Sequence, residues 1–166
     1  MNDFHDLFIM YAKDIYRFAL LLSGDEMEAE EITAETFARI ITGKTPIIRE
    51  TVKGYLLTIA RNLYLEMLRR QKRLVEIEPE IPIHAPNMEE SMEFKIDLED
   101  VHAYLQTFPE IDRAALLLRA GGMSYHEIAG SLEISVPAAK VKVHRLRLKL
   151  AEWRMNREEK KNSKGE

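Results

Sequence analysis

Phe4, Phe8, Tyr11, Ile15, Phe18 and Leu22 recur at alternating steps of four and three, the period at which side chains stack on one face of an α-helix. The same period returns at Val52, Leu56, Ile59, Leu63 and Met67, at Phe94, Leu98, Val101, Leu105 and Phe108, and at Val136, Ala139, Val143, Leu146 and Leu150. No segment alternates apolar and polar residues with the period of two that a half-buried strand requires. The chain is therefore expected to be all-α, with each helix offering a single apolar stripe that only a neighbour can cover.

Breaks in this pattern divide the chain. Ser23, Gly24 and Asp25 end the first helix, and Asp25 followed by Glu28 predicts an N-cap with its capping-box partner, opening a helix to about Ile41. Thr42 to Glu50 reads as a loop, and a long helix follows to about Arg73. Between Glu76 and Met88, Pro79, Pro82 and Pro86 stand among acids with no period of either kind, which predicts a semi-extended linker. Helical spacing resumes at Phe94, stops at Pro109 and restarts from Ile111 to Arg119 before Gly121 and Gly122. The expected organisation is two small helical domains, residues 1–75 and 91–157, joined by an acidic Pro-containing linker at 76–90. A charged tail at 158–166 is expected to fray.

The formal net charge is −4, but its distribution matters more than its sum. Residues 74–112 hold eleven acids against one Lys, whereas residues 113–166 hold twelve Lys or Arg against six acids. Arg69, Arg70, Lys72 and Arg73 make a second basic knot. Two separated basic patches suit two contacts with a polyanion. The chain has no cysteine, which excludes disulfides, thiolate metal sites and a cysteine nucleophile. Its five histidines, His5, His84, His102, His126 and His144, lack ligand spacing, and there is no P-loop, GxSxG or paired-carboxylate constellation. Neither an enzymatic reaction, a cofactor nor a metal is expected. Charged residues throughout Met1 to Leu22 argue against a signal peptide or membrane span, so a cytoplasmic location is expected.

Met123 to Leu150 is the most informative stretch. Ser124 and Glu127 form a capping box, Met123 and Ile128 are placed for a hydrophobic staple, and a short helix runs to about Leu132. A tight turn at Glu133 and Ile134 leads to Ser135, an N-cap with Pro137 tolerated inside the first turn of the next helix. Two helices joined in this way form a helix-turn-helix, whose second helix enters the DNA major groove. Val136, Val143 and Leu150 mark its buried side, while Lys140, Lys142, His144, Arg145, Arg147 and Lys149 cover the rest.

The run PEIDRAALLLRAGGMSYHEIAGSLEISVPAAKVKVHRLRLKL, Pro109 to Leu150, resembles region 4 of the sigma-70 family without a gap. EAEEITAETF (Glu28 to Phe37) and GYLLTIARNLYLEMLRR (Gly54 to Arg70) resemble regions 2.2 and 2.3 to 2.4. Both motif sets occur in the family's order, and the chain is too short for the extra regions of housekeeping sigma factors, which points to the extracytoplasmic-function type. Departures from the family pattern are Ala34 for the usual Gln, Tyr55 for Trp, Pro137-Ala138 for Gly-Thr and Val141 for Ser. They bear on promoter specificity more than on fold.

The resemblance implies a promoter-recognition subunit with no cofactor, whose partners are core RNA polymerase, promoter DNA and an anti-sigma factor. Glu28, Glu31, Glu35 and Phe37 would meet the clamp helices of the largest polymerase subunit, with Glu31 and Phe37 exposed together. Tyr55, Asn62 and Arg69, spaced by seven on one face, would meet the separated −10 strand along with Thr58, Arg61 and Arg70, and the loop from Thr42 to Thr51 would pocket a flipped base. Lys140, Val141, Lys142, His144, Arg145, Arg147 and Lys149 would meet the −35 element. Lys140, Val141, His144 and Arg145 would face the bases, with Arg147 and Lys149 nearer the backbone. The alternative is a helix-turn-helix regulator with an N-terminal ligand or dimerisation module.

Overall fold

The computed structural model describes residues 4–43, 52–75 and 100–165, and every regular element among them is an α-helix. The loop ahead of Val52 and the Pro-containing linker, for which a base pocket and a semi-extended connector are expected, lie outside the described residues. Helices α1 (Phe4–Ser23), α2 (Glu26–Ile41) and α3 (Val52–Val75) pack pairwise into a bundle. Residues 100–105 are helical (α4), followed by α5 (Glu110–Ala120), α6 (Tyr125–Leu132) and α7 (Val136–Ser163). The last three pack on one another. The chain divides into two compact units, residues 1–108 and 109–166.

The N-terminal bundle closes over Ile15, Leu22, Ile32, Leu56 and Leu57, each almost wholly removed from water. Truncating any one of these to Ala leaves a cavity, a change that costs about 2–5 kcal/mol. The α1–α2 corner is cut by Gly24 at φ +74°, where its N–H donates to the Leu20 carbonyl at 2.8 Å. Asp25 then caps α2 by accepting from the Glu28 N–H at 2.9 Å. Only half of the expected capping box forms: the Asp25 N–H donates to Ser23 Oγ at 3.3 Å, while the Glu28 carboxylate accepts a hydrogen bond from the Gln71 amide on α3. A tertiary partner has outcompeted the local one. Residues 100–108 lie within this first unit, and the Gln106 amide donates to the Leu22 carbonyl at the end of α1 at 3.2 Å.

In the second unit the expected end of α5 and the expected starts of α6 and α7 are realised. Gly122, at φ +98°, ends α5. Ser124 and Glu127 form a complete capping box at α6, and Ser135 accepts from the Ala138 N–H at α7 with Pro137 in the first turn. Met123 and Ile128, the staple pair, are both fully buried. One expectation is corrected: the charged tail does not fray after Arg157, because α7 continues to Ser163. Residues 151–163 contain neither Gly nor Pro. The Arg157 guanidinium lies 4.9 Å from the Trp153 ring centre one turn back, and Lys160 and Lys161 oppose the dipole at the C-terminal end.

The turn between α6 and α7 carries a measurable cost. Glu133 caps α6 in the left-handed region, at φ 56° and ψ 43°, where Cβ crowds the carbonyl of an L-residue. Glycine relieves that crowding but adds freedom to the unfolded chain. The balance predicts that Glu133→Gly stabilises the full-length chain by about 0.5–1 kcal/mol in urea unfolding. A loss of stability would show that the Glu133 side chain contributes more than its backbone costs.

Candidate nucleic-acid and polymerase interfaces

Helix α7 is held from one side. Ala139, Val143 and Leu146 are buried against α5 and α6, with Val136 and Leu150 half-buried at the ends of the same stripe. At about 100° per residue, Val141, His144, Arg145 and Leu148 point away from that stripe, with Lys140, Arg147 and Lys149 flanking them. All seven are exposed. Leu148, 54% exposed near the middle of the outward face, was missed by the sequence reading, although its spacing of seven from Val141 marks the same side. Lys142 is placed differently from the other candidate DNA contacts. Its ammonium bonds the Asp112 carboxylate of α5 at 2.7 Å, and each side chain is less than a third exposed.

A cluster that sequence alone did not single out flanks the start of α6. The Arg119 guanidinium lies 4.6 Å from the Tyr125 ring centre, and the Lys140 ammonium lies 5.8 Å from it. Arg119 also donates to the Met123 carbonyl at 2.9 Å, which holds it across the α5–α6 corner. One ring thus gathers two cations from elements far apart in sequence.

On α3 the candidate strand-contacting residues separate into two groups. Asn62, Arg69 and Arg70 are exposed. Tyr55 is buried at 9% exposure, which corrects the expectation that it shares an open face with Asn62 and Arg69. The reason is local: Gly54, Tyr55, Leu56 and Leu57 are all buried, so the bundle encloses this end of α3 on every side. Arg61 is buried as well, and the half-buried Thr58 hydroxyl donates to the Gly54 carbonyl at 2.9 Å.

On α2, Glu31 and Glu35 are exposed, whereas Phe37 is 2% exposed. The expectation that Glu31 and Phe37 are exposed together is corrected. Phe37 lies about 160° around the helix from Glu35, and its ring packs edge-on against Phe8 at 5.0 Å and Phe4 at 6.2 Å. Glu35 reaches Arg39 at 3.5 Å, and Arg39 reaches Glu66 of α3 at 3.0 Å. With these side chains partly exposed, each pair contributes at most about 1 kcal/mol. Glu28 is half-buried at the same seam.

Burial pushes the Glu28 carboxyl above the usual carboxylate range. The Gln71 hydrogen bond pulls it back, and Asp25 and Glu31 push it up further. A carboxyl whose folded pKa is raised holds its proton more tightly in the native state, so stability falls as pH rises from the ordinary carboxylate pKa through the raised value. Glu28→Gln keeps the shape without the charge. It is expected to melt higher than the unmodified chain at neutral pH, with the difference vanishing once the medium is acidic enough to protonate Glu28 in both states. A melting difference independent of pH would show that the charge of Glu28 carries no cost.

Among the described residues no group of three His, Asp or Glu is placed to hold a metal ion, and no helix is long and apolar enough to cross a membrane.

The chain as a whole is similar to known proteins. The model of Sigma-70 region 2 matches residues 7–74, and that of Sigma-70, region 4 matches residues 98–150. The chain is 33% identical over 159 residues to the ECF RNA polymerase sigma factor SigE of Mycolicibacterium smegmatis, covering 92% of this chain and 62% of that protein. It is 28% identical to the ECF RNA polymerase sigma factor SigM of Bacillus subtilis, covering 87% of this chain and 91% of that one. Its fold is similar to that of the sigma factor RpoE of Bartonella quintana, solved in complex with the anti-sigma factor NepR. There the TM-score is 0.75 at 24% identity, over 92% of this chain and 96% of the other. With regions 2 and 4 both matched in order over well more than half its length, the chain belongs to the sigma-70 family and is of the extracytoplasmic-function type.

Proposed function

We propose that this chain is a promoter-recognition subunit: it joins core RNA polymerase, reads the −35 element through α7, and holds the separated −10 strand against α3. The observation that carries this reading is the outward face of α7. A helix fixed by an apolar stripe presents Lys140, Val141, His144 and Arg145 side by side, with Arg147 and Lys149 at the margins. Such a face divides the work as groove-reading helices do, with phosphate contacts positioning and base contacts specifying. Arg145 suits a bidentate contact with guanine, and Val141 suits a thymine methyl.

On the N-terminal side, Asn62 offers an amide to a base edge, and Arg69 and Arg70 offer charge to phosphate. Tyr55 supports that surface from within rather than stacking on a base. Capturing an extruded base offsets roughly a few kcal/mol of unstacking, which one pocket can supply without nucleotide hydrolysis. Glu31 and Glu35 form the exposed acidic face for the clamp helices of the largest polymerase subunit. The functional parts are residues 1–75 and 91–157 joined by 76–90, although residues 100–108 pack with the first unit; the tail from 158 prolongs α7, and the chain carries out no chemistry of its own. The solved sigma factor of similar fold was captured with an anti-sigma factor, and a partner of that kind suits the two basic surfaces here.

The reading is tested by assembling the full chain with core polymerase. Holoenzyme is expected to select promoter DNA, while the free chain binds duplex poorly; tight duplex binding by the free chain as a dimer would favour a conventional regulator. Asn62→Ala is expected to lower transcription from a duplex promoter more than from a template mismatched across the −10 bubble, and equal losses would place Asn62 elsewhere. Arg145→Ala is expected to relax preference at one −35 base pair at a cost of about 1–3 kcal/mol. Loss spread evenly over all base variants would make it a phosphate contact.

A further inference from the structure

The apolar stripe of α7 is short and smooth. Ala139, Val143 and Leu146 are its only fully buried members among the described residues, and contacts of this kind resist separation of two helices more than rotation of one about its axis. Base reading is sensitive to rotation. At a side-chain radius of about 6 Å, turning the helix by about 15° displaces the reading groups by about 1.5 Å, several times the roughly 0.5 Å within which a recognition site must be held. A directional contact is needed, and the structure supplies one. Lys142 lies at the edge of the stripe, and its ammonium meets the Asp112 carboxylate at 2.7 Å. Asp112 stands in the first turn of α5, where the helix dipole favours an anion, and thirty residues separate the partners.

We propose that Asp112 is a positioning residue for −35 recognition: through Lys142 it pins the rotation of α7, so base discrimination depends on an acid that does not touch DNA. The proposal rests on the reading of α7 as the −35 helix and changes the role of Lys142 from a DNA contact to the inner half of a clamp. The pair is well suited to that work. Both side chains are about three-quarters removed from solvent, so salt screens the pair less than a surface bridge. Removing either partner strands a half-buried charge, which favours displacement of the helix over a harmless gap.

The experiment uses full-length chain assembled with core polymerase and a panel of single-base −35 variants at several salt concentrations. Asp112→Asn and Lys142→Met are each expected to compress the ratio between best and worst base about three- to tenfold. The salt dependence should keep the slope of the unmodified holoenzyme, because no phosphate contact is lost. The exchanged pair, Asp112→Lys with Lys142→Asp, is expected to restore discrimination to within about twofold, the signature of direct coupling. Two results overturn the proposal: a slope lowered by about one unit in Lys142→Met with discrimination intact in Asp112→Asn, or an exchanged pair that discriminates no better than the single variants. Circular dichroism and melting accompany each protein. If a single variant unfolds, an exchanged pair that restores both folding and discrimination supports the clamp, and one that restores folding alone, or neither, overturns it. If unmodified holoenzyme shows no −35 preference, the assignment of α7 to that element fails, and the clamp is judged by a double-mutant cycle of melting, in which additive losses would refute it.

Discussion

Helices α2 and α7 each bury one stripe and therefore keep one free face, whereas α5 is buried all round from Arg113 to Leu118. None of α1, α2, α3, α5, α6 or α7 can bury its own stripe, so each element is stable only against a neighbour. Once a stripe is buried, the opposite face is committed to water or to a partner. On α7 the burial of Ala139, Val143 and Leu146 turns Lys140, Val141, His144 and Arg145 outward as a set. On α2 the burial of Ala29, Ile32, Thr36 and Phe37 does the same for Glu31 and Glu35. The candidate functional surfaces of α2 and α7 are the complement of their buried stripes.

Polar residues near the seams have a second use. Glu28 accepts from Gln71 and Arg39 reaches Glu66, so these two polar residues of α2 tie it to α3 rather than facing outward. Lys142 and Asp112 repeat the theme between α7 and α5. A charge held at the edge of a core adds direction to a contact that apolar packing leaves free to slide or turn. The composition of a helix face therefore overstates the charge available to a partner, because some of it is spent inward.

Features set by neighbours in sequence were legible without coordinates. The period of four and three located α1, α3 and α7, and Asp25, Ser124 and Ser135 marked the starts of α2, α6 and α7, because a cap needs only residues three positions away. The exposure of Lys140, Val141, His144 and Arg145 follows from the same counting. Phe37 was also within reach of it, since a residue about 160° from Glu35 cannot share its face.

The sequence by itself determined the helical class, the breaks, the caps and the outward set on α7, because these depend on local periodicity and on hydrogen bonds that close within one turn. The tertiary structure alone decided which candidate side chains are available. Tyr55 and Arg61 are buried because the bundle encloses their part of α3 beyond what its own stripe predicts. Glu28 left its capping role because a glutamine forty-three residues away offered a better-placed donor. Arg119 and Lys140 converge on Tyr125, and Lys142 turns to Asp112, only after α5, α6 and α7 have packed. Pairings between residues so far apart in the chain depend on the register and angle of packed helices, and no local pattern encodes either.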